Sequence, residues 1–149
     1  MICIATRYNI PRLIEMIEQY ALENPSIEIF GNKELHDVKH IEELLFNIIK
    51  FRGFILMDKN MRGCFIAIKT QNIWCPKITE LHQLMWWVEP EFRGILSGRL
   101  WKAFDEAATK LLEEKKVDLV FTSVNAKSTL TDFTKRGYSA IEAKFFRGR

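Results

Sequence analysis

The chain has no run approaching the ~18 apolar residues of a membrane-spanning helix, so no transmembrane segment is expected. Its first residues, Met1-Ile2-Cys3-Ile4-Ala5-Thr6-Arg7, lack the charged-then-apolar order of a secretion signal. Cysteine is scarce: Cys3, Cys64 and Cys75, with no Cys-x-x-Cys pair. An odd count without such spacing excludes a disulfide framework and predicts reduced thiols. Cys3 and Cys64 lie in apolar runs and read as small buried hydrophobes. With 7 glycines and 4 prolines, no linker, low-complexity tract or internal repeat marks a domain boundary. Neither charge dominates: 22 Lys+Arg against 19 Asp+Glu leave +3, which does not by itself argue for nucleic acid. The expectation is one domain over residues 1–149 in the cytoplasm. A chain of this length buries roughly 68–70% of its unfolded surface and needs no disulfide or metal to fold.

What is present is strong periodicity. Ile2 to Thr6 reads as a strand. Asn9 can cap a helix with Pro11 in its first turn, and Leu13, Ile14, Ile17, Tyr20 and Ala21 form its apolar stripe. Residues 26–33 are ambiguous, with a turn expected at Gly31-Asn32. Val38, Ile41, Leu44, Leu45, Ile48 and Ile49 predict a second amphipathic helix. Phe51 to Met57 and Gly63 to Thr70 flank a polar loop and read as a hairpin, followed by an extended run from Ile78 to Val88. Residues 93–116 carry a helical stripe through Leu96, Leu100, Phe104 and Leu111. Val117 to Ser123 is a buried-type strand, Ser128 to Lys135 a short helix ended by Gly137, and Tyr138 to Phe146 a closing strand. This order predicts an α/β (α+β) fold: a mixed, mostly antiparallel central sheet with helices on both faces.

The richest stretch is Trp86-Trp87-Val88-Glu89-Pro90-Glu91-Phe92-Arg93-Gly94-Ile95-Leu96-Ser97-Gly98-Arg99-Leu100. A strand stops at a proline and passes through arginine and glycine into a helix. The amides of a helix's first turn have no intrahelical partner, and the dipole adds partial positive charge, so such a turn can hold a phosphate or pyrophosphate. Arg93, Gly94, Gly98 and Arg99 supply charge and close backbone approach. Upstream, Glu80 and His82 share a strand face with Leu84, Trp86 and Val88 if alternation is unbroken, and a bulge would change that. A carboxylate or imidazole there could accept a proton. Adjacent Trp86 and Trp87 must face opposite sides of the sheet, one packed under a helix.

The loop resembles the acetyl-coenzyme A loop of the GNAT acyltransferases, Arg/Gln-x-x-Gly-x-Gly/Ala after a strand ending Val-x-Pro. Arg93 and Gly98 match its outer positions, and Leu96 stands where the family usually has its first glycine. Val124-Asn125-Ala126 and Asp132-Phe133-Thr134-Lys135-Arg136-Gly137-Tyr138 resemble the family's later motif, an asparagine and then Tyr-x-Lys-x-Gly-Phe. The resemblance covers most of the chain, with specific motifs over residues 78–138. It implies acetyl-CoA as acyl donor, and direct attack by a primary amine on the thioester. Backbone groups of Trp86 and Val88 would meet the pantetheine, and Arg93, Gly94, Ile95, Leu96, Ser97, Gly98 and Arg99 would form the phosphate cradle. Asn125 would bond the pantetheine arm. Phe133 takes the place of the family's thiolate-protonating tyrosine and has no proton to give. Some members carry a catalytic glutamate thirteen residues before the loop arginine, which is Glu80; His82 is the other candidate base.

The partners implied are acetyl-CoA and an unidentified amine acceptor, a small molecule or a protein, with no membrane and a homodimer left open. Leu96 either loosens the cradle or points into the core with Leu100. Leu96 and Phe133 favour the alternative function, a catalytically degenerate GNAT-fold module that binds a partner protein. His36 and His40 have metal-ligand spacing on a helix but no evident third ligand, so a solvated face is expected. The basic tail from Lys144 to Arg149 reads as a solvated terminus rather than a nucleic-acid contact.

Overall fold

The computed structural model describes residues 1–24, 32, 34, 36–124, 133–145 and 147. Five strands lie in one sheet in chain order: β1 (Ile2–Ile4), β2 (Gly53–Asp58), β3 (Gly63–Gln71), β4 (Thr79–Val88) and β5 (Leu119–Phe121). The first four pair antiparallel, and β5 joins β4 in parallel. Helices α1 (Ile10–Glu23), α2 (Val38–Asn47) and α3 (Ile95–Glu113) cover it. Asp37 caps α2 by accepting from His40 N at 3.0 Å, and one π-helical turn, Ile48–Arg52, leads into β2. Asn9 starts α1 but reaches backward: its Oδ1 accepts from Thr6 N at 2.8 Å.

Alternation divides the core in two. On one face Ile55, Met57, Cys64, Ile66, Met85 and Trp87 pack with Leu13 and Met16 of α1 and Leu45 of α2. On the other, Leu56, Phe65, Leu81 and Val88 pack with Leu96, Leu100, Trp101 and Phe104 of α3. The predicted fold class is the observed one.

Several element predictions need correction. Residues 139–145 form no strand, and Tyr138 instead packs beside Trp101 of α3 and Phe133. Of the helix predicted over Ser128 to Lys135, only its end lies within the described residues, as a 3-10 turn over Phe133–Arg136. Gly137 has φ +84, the left-handed cap anticipated for it. The turn at Gly31-Asn32 falls largely outside the described residues. His36 precedes α2, so it does not share a helix face with His40. Cys64 is buried as expected, and burial pushes its thiol up to about 12. Cys3 is exposed instead, because β1 is an edge strand with one neighbour to cover it.

Candidate active site

The site is built where β4 changes register. Ile66 of β3 lies opposite Met85, but Ala67 lies opposite Gln83, so Leu84 is an extra residue on β4. Such a bulge reverses which side chains share a face. His82 pairs with Ile68, and Trp86 with Phe65. Ile68 belongs to the α1/α2 core and Phe65 to the α3 core. Glu80 and His82 therefore lie on the α1/α2 face, and Trp86 and Val88 on the opposite face. The unbroken alternation is corrected: one side of β4 does not carry all five residues.

The same slip sets which backbone groups of β4 face outward beyond it. Glu89 N donates to Arg62 O of the β2–β3 hairpin at 2.8 Å. Backbone groups alternate along an antiparallel strand, so those of Met85 and Trp87 also turn toward β3, and those of Trp86 and Val88 turn away from it. On that outer side β5 pairs only with Glu80, Leu81 and His82. Among the described residues no strand pairs with β4 beyond His82 there. Past this point Gln83 Oε1 accepts from Thr122 Oγ1 at 2.7 Å and Ser123 N at 3.0 Å, and Trp101 Nε1 donates to Thr122 Oγ1 at 3.1 Å. A side chain, not a ladder, spans the start of the gap.

Below the gap, α3 begins without a side-chain cap. Gly94 takes φ +96, a conformation that glycine adopts without a Cβ penalty, and its carbonyl accepts from Gly98 N at 3.0 Å. The amides of Ile95, Leu96 and Ser97 thus have no intrahelical partner. A Cβ built on Gly94 or Gly98 would meet nothing within 4 Å apart from its own chain neighbours and helix backbone. Leu96 is only 7% exposed and packs with Leu100, so its side chain lies in the core rather than across the turn.

Two arginines of this region are not where the sequence reading put them. Arg93 Nε donates to Val88 O at 2.9 Å, and its Nη2 lies 2.7 and 2.6 Å from the two carboxylate oxygens of Glu23 at the end of α1. Its guanidinium ties the strand end to α1 and is not free in the turn. Arg99 instead lines a shallow hollow against Met1 and Ile2, beside β1 rather than β4. Arg12 pairs with Glu89, and Arg62 pairs with buried Asp58 at 2.6 Å while stacking over Phe92. The stretch from Val88 to Arg93 is therefore held from two sides.

The acid–base candidates form one unit. Glu80 is 9% exposed. Its Oε2 lies 2.7 Å from His82 Nε2, and its Oε1 accepts from Asn72 Nδ2 at 2.5 Å. The bond to His82, then that to Asn72, holds the Glu80 carboxyl below its ordinary range against the opposing effect of burial. The His82 ring stacks on Phe121 with centroids 4.6 Å apart, at the last paired position before the gap opens.

Phe133 stacks on Trp101 at 5.0 Å and sits 6.2 Å from the Tyr138 ring. The Tyr138 hydroxyl bonds Asp105 Oδ1 at 3.0 Å, and burial together with that carboxylate raises its pKa. Of the two tryptophans, Trp87 is the one under α1, its Nε1 donating to Glu23 at 3.3 Å. Trp86 packs against Phe65, and its Nε1 is buried with no partner among the described residues. Asn125 lies outside the described residues. Asn72, Gln83 and Glu23 were missed by sequence reasoning. Asn72 had a local signal, a turn-forming residue just ahead of Trp74; Glu23, 70 residues from Arg93, had none. Among the described residues no cluster could hold a metal ion, and no helix is long and apolar enough to cross a membrane.

No family model and no curated protein matches the sequence. Solved structures do match in shape. An aminoglycoside acetyltransferase from an uncultured soil metagenomic sample, in complex with sisomicin, superposes with TM-score 0.65 and 15% identity over 100% of this chain and 95% of its own. A Trypanosoma brucei acetyltransferase gives 0.66 and 12% identity over 100% and 99%. A ribosomal-protein-alanine N-acetyltransferase from Brucella melitensis biovar Abortus gives 0.61 and 11% over 100% and 99%. This chain, a five-stranded mostly antiparallel sheet with helices on both faces, thus has the fold of the GNAT acetyltransferases.

Proposed function

We propose that this chain is a one-domain, acyl-CoA-dependent N-acyltransferase that carries acetyl from acetyl-CoA to a primary amine. The observation that carries the proposal is a set of three features along β4 and just past its end. These are the backbone edge at Trp86 and Val88, which no described strand covers and of which Arg93 takes only Val88 O, the uncapped start of α3, and the Glu80–His82 pair where β5 parts from β4. The donor's parts fit these features. The amides of Ile95 to Ser97 and the open space at Gly94 and Gly98 suit a pyrophosphate. The Trp86 backbone groups and Val88 N on the uncovered edge of β4 suit a pantetheine, which carries amides like those of a strand. When bound, acetyl-CoA supplies an activated thioester carbonyl.

The chain's own residues then do three things. Backbone amides at the strand end orient and polarise the acyl carbonyl. Arg93, through Glu23 and Val88 O, keeps that strand end in place. The Glu80–His82 pair takes the proton: with Nε2–H donating to Glu80, His82 Nδ1 carries the free lone pair. The nitrogen–carbon bond forms, the carbon–sulfur bond breaks, the electron pair leaves with sulfur, and the amine's proton passes to His82. Phe133 offers the sulfur no proton, so water must protonate the thiolate.

Thiol release with acetyl-CoA and a panel of amines tests this. The panel begins with an aminoglycoside and a peptide with an N-terminal alanine, the acceptor classes named for two of the structural neighbours. Turnover with any amine, reduced about 10²–10⁴-fold in His82→Ala, is expected. Acetyl-CoA binding without turnover on any amine would favour the degenerate module that Phe133 suggests.

A further inference from the structure

Asn72 opens the turn between β3 and β4 and uses each polar atom of its side chain there. Its Oδ1 accepts from the amides of Trp74 and Cys75, at 2.9 Å each. Its Nδ2 donates to Glu80 Oε1, whose partner oxygen meets His82. Backbone bonds from Asn72 N to Ile78 O and from Ile78 N to Cys75 O close the turn, both at 2.9 Å. The turn displays Ile73 and Trp74, 82% and 87% exposed.

We propose that Asn72 is the positioning residue of the Glu80–His82 pair, and that it couples the pair to the conformation of the Ile73–Cys75 turn. The coupling follows from the two ends of one amide. Only oxygen can accept from Trp74 N and Cys75 N, so the closed turn decides that nitrogen faces Glu80. The terminal torsion of a glutamate is broad and nearly two-fold, and His82 alone would leave its carboxylate free to rotate. A donor on Oε1 fixes Oε2 toward His82 and so fixes the imidazole. An opened turn would let the amide invert and set oxygen against oxygen.

The proposal rests on reading Glu80 and His82 as the proton-accepting pair, but its test needs no acyl-CoA. Two variants separate the two ends. Asn72→Asp keeps an acceptor for the turn and removes the donor to Glu80; Asn72→Ala removes both. Carbon-13 NMR follows the Glu80 carboxyl against pH, with Glu80→Gln for assignment, and hydrogen exchange follows the Trp74 and Cys75 amides. In Asn72→Asp the amides should keep their protection while the Glu80 titration moves up by roughly one pH unit or more, from the lost donor and the added like charge. In Asn72→Ala the Glu80 titration should also rise, and the two amides should exchange roughly tenfold faster. If Asn72→Ala does not fold, Asn72→Asp alone decides. An unmoved Glu80 titration in the folded variants would overturn the proposal and leave Asn72 as a turn former. Acetyl-CoA should stabilise wild type and Asn72→Asp equally. Its failure to stabilise wild type would overturn the acyltransferase reading without touching the Asn72 result.

Discussion

Glu80 has two hydrogen-bonding neighbours where the sequence displayed only one. Its lowered pKa makes it a weak base at neutral pH, and its bond to Nε2 suits it to hold His82 rather than to accept the amine's proton itself. Glu80→Gln should therefore reduce turnover less than His82→Ala, with acetyl-CoA affinity unchanged in both; a larger loss in Glu80→Gln would return the base to Glu80. Asp58 carries a stability prediction. It is nearly fully buried, bonds Arg62 and Asn60 N, and has a pKa lowered from 3.8, first by the Arg62 bond. A group with a depressed folded-state pKa stabilises the fold above its ordinary pKa and loses that contribution as pH falls through the folded value. Asp58→Asn should cost about 1–3 kcal/mol at neutral pH, and the gap to wild type should close below about pH 4. Urea unfolding at a series of pH values measures it.

At the scale of elements, the start of α3 is the informative piece. Leu96 packs in the core, so Leu96→Gly should remove a buried side chain and add helix entropy, destabilising by about 3–5 kcal/mol. It should not improve acetyl-CoA binding, and calorimetry showing tighter binding would mean that Leu96 obstructs the turn after all. Gly98 makes the opposite case, because nothing in the structure fills the space a Cβ would take. Gly98→Ala should raise the melting temperature of the free protein by about 2–4 °C through helix propensity. It should also reduce the stabilisation by acetyl-CoA if pyrophosphate lies against the turn. Gains in both would place the phosphates elsewhere. Arg93 and Glu23 join the loop to α1 across a half-exposed pair, so a double-mutant cycle should give a coupling of about 0.2–1 kcal/mol.

At the scale of the whole molecule, the sheet is held from one side by α1 and α2 and from the other by α3, and among the described residues β4 and β5 part beyond His82. A ligand that enters this gap binds the folded chain alone. A ligand at a hundredfold excess over its Kd stabilises by about 2.7 kcal/mol. For a domain of this size that is a rise in melting temperature of about 5–10 °C. Acetyl-CoA should produce it, and adenine nucleotides should produce less, because they lack the amides that match the Trp86–Val88 edge. Equal shifts with both would confine recognition to the start of α3.

The sequence by itself determined the elements whose signals are local. Period-two and helical stripes marked β2 through β4 and the three helices, Pro90 and Gly94 marked the passage from β4 into α3, and Gly137 marked a left-handed cap. Tertiary structure decided what depends on partners distant in the chain. The bulge at Leu84 exists because β3 and β4 pair out of step, and it sets Glu80 and His82 on the face opposite Trp86. Arg93 reads as a phosphate ligand until folding brings Glu23 to it across 70 residues. Residues 139–145 form no strand, and the Tyr138 side chain meets Trp101 and Asp105 of α3, contacts that its place in an apolar run did not display. Periodicity reports which face of an element is apolar; only the packed chain reports which polar group another polar group will meet.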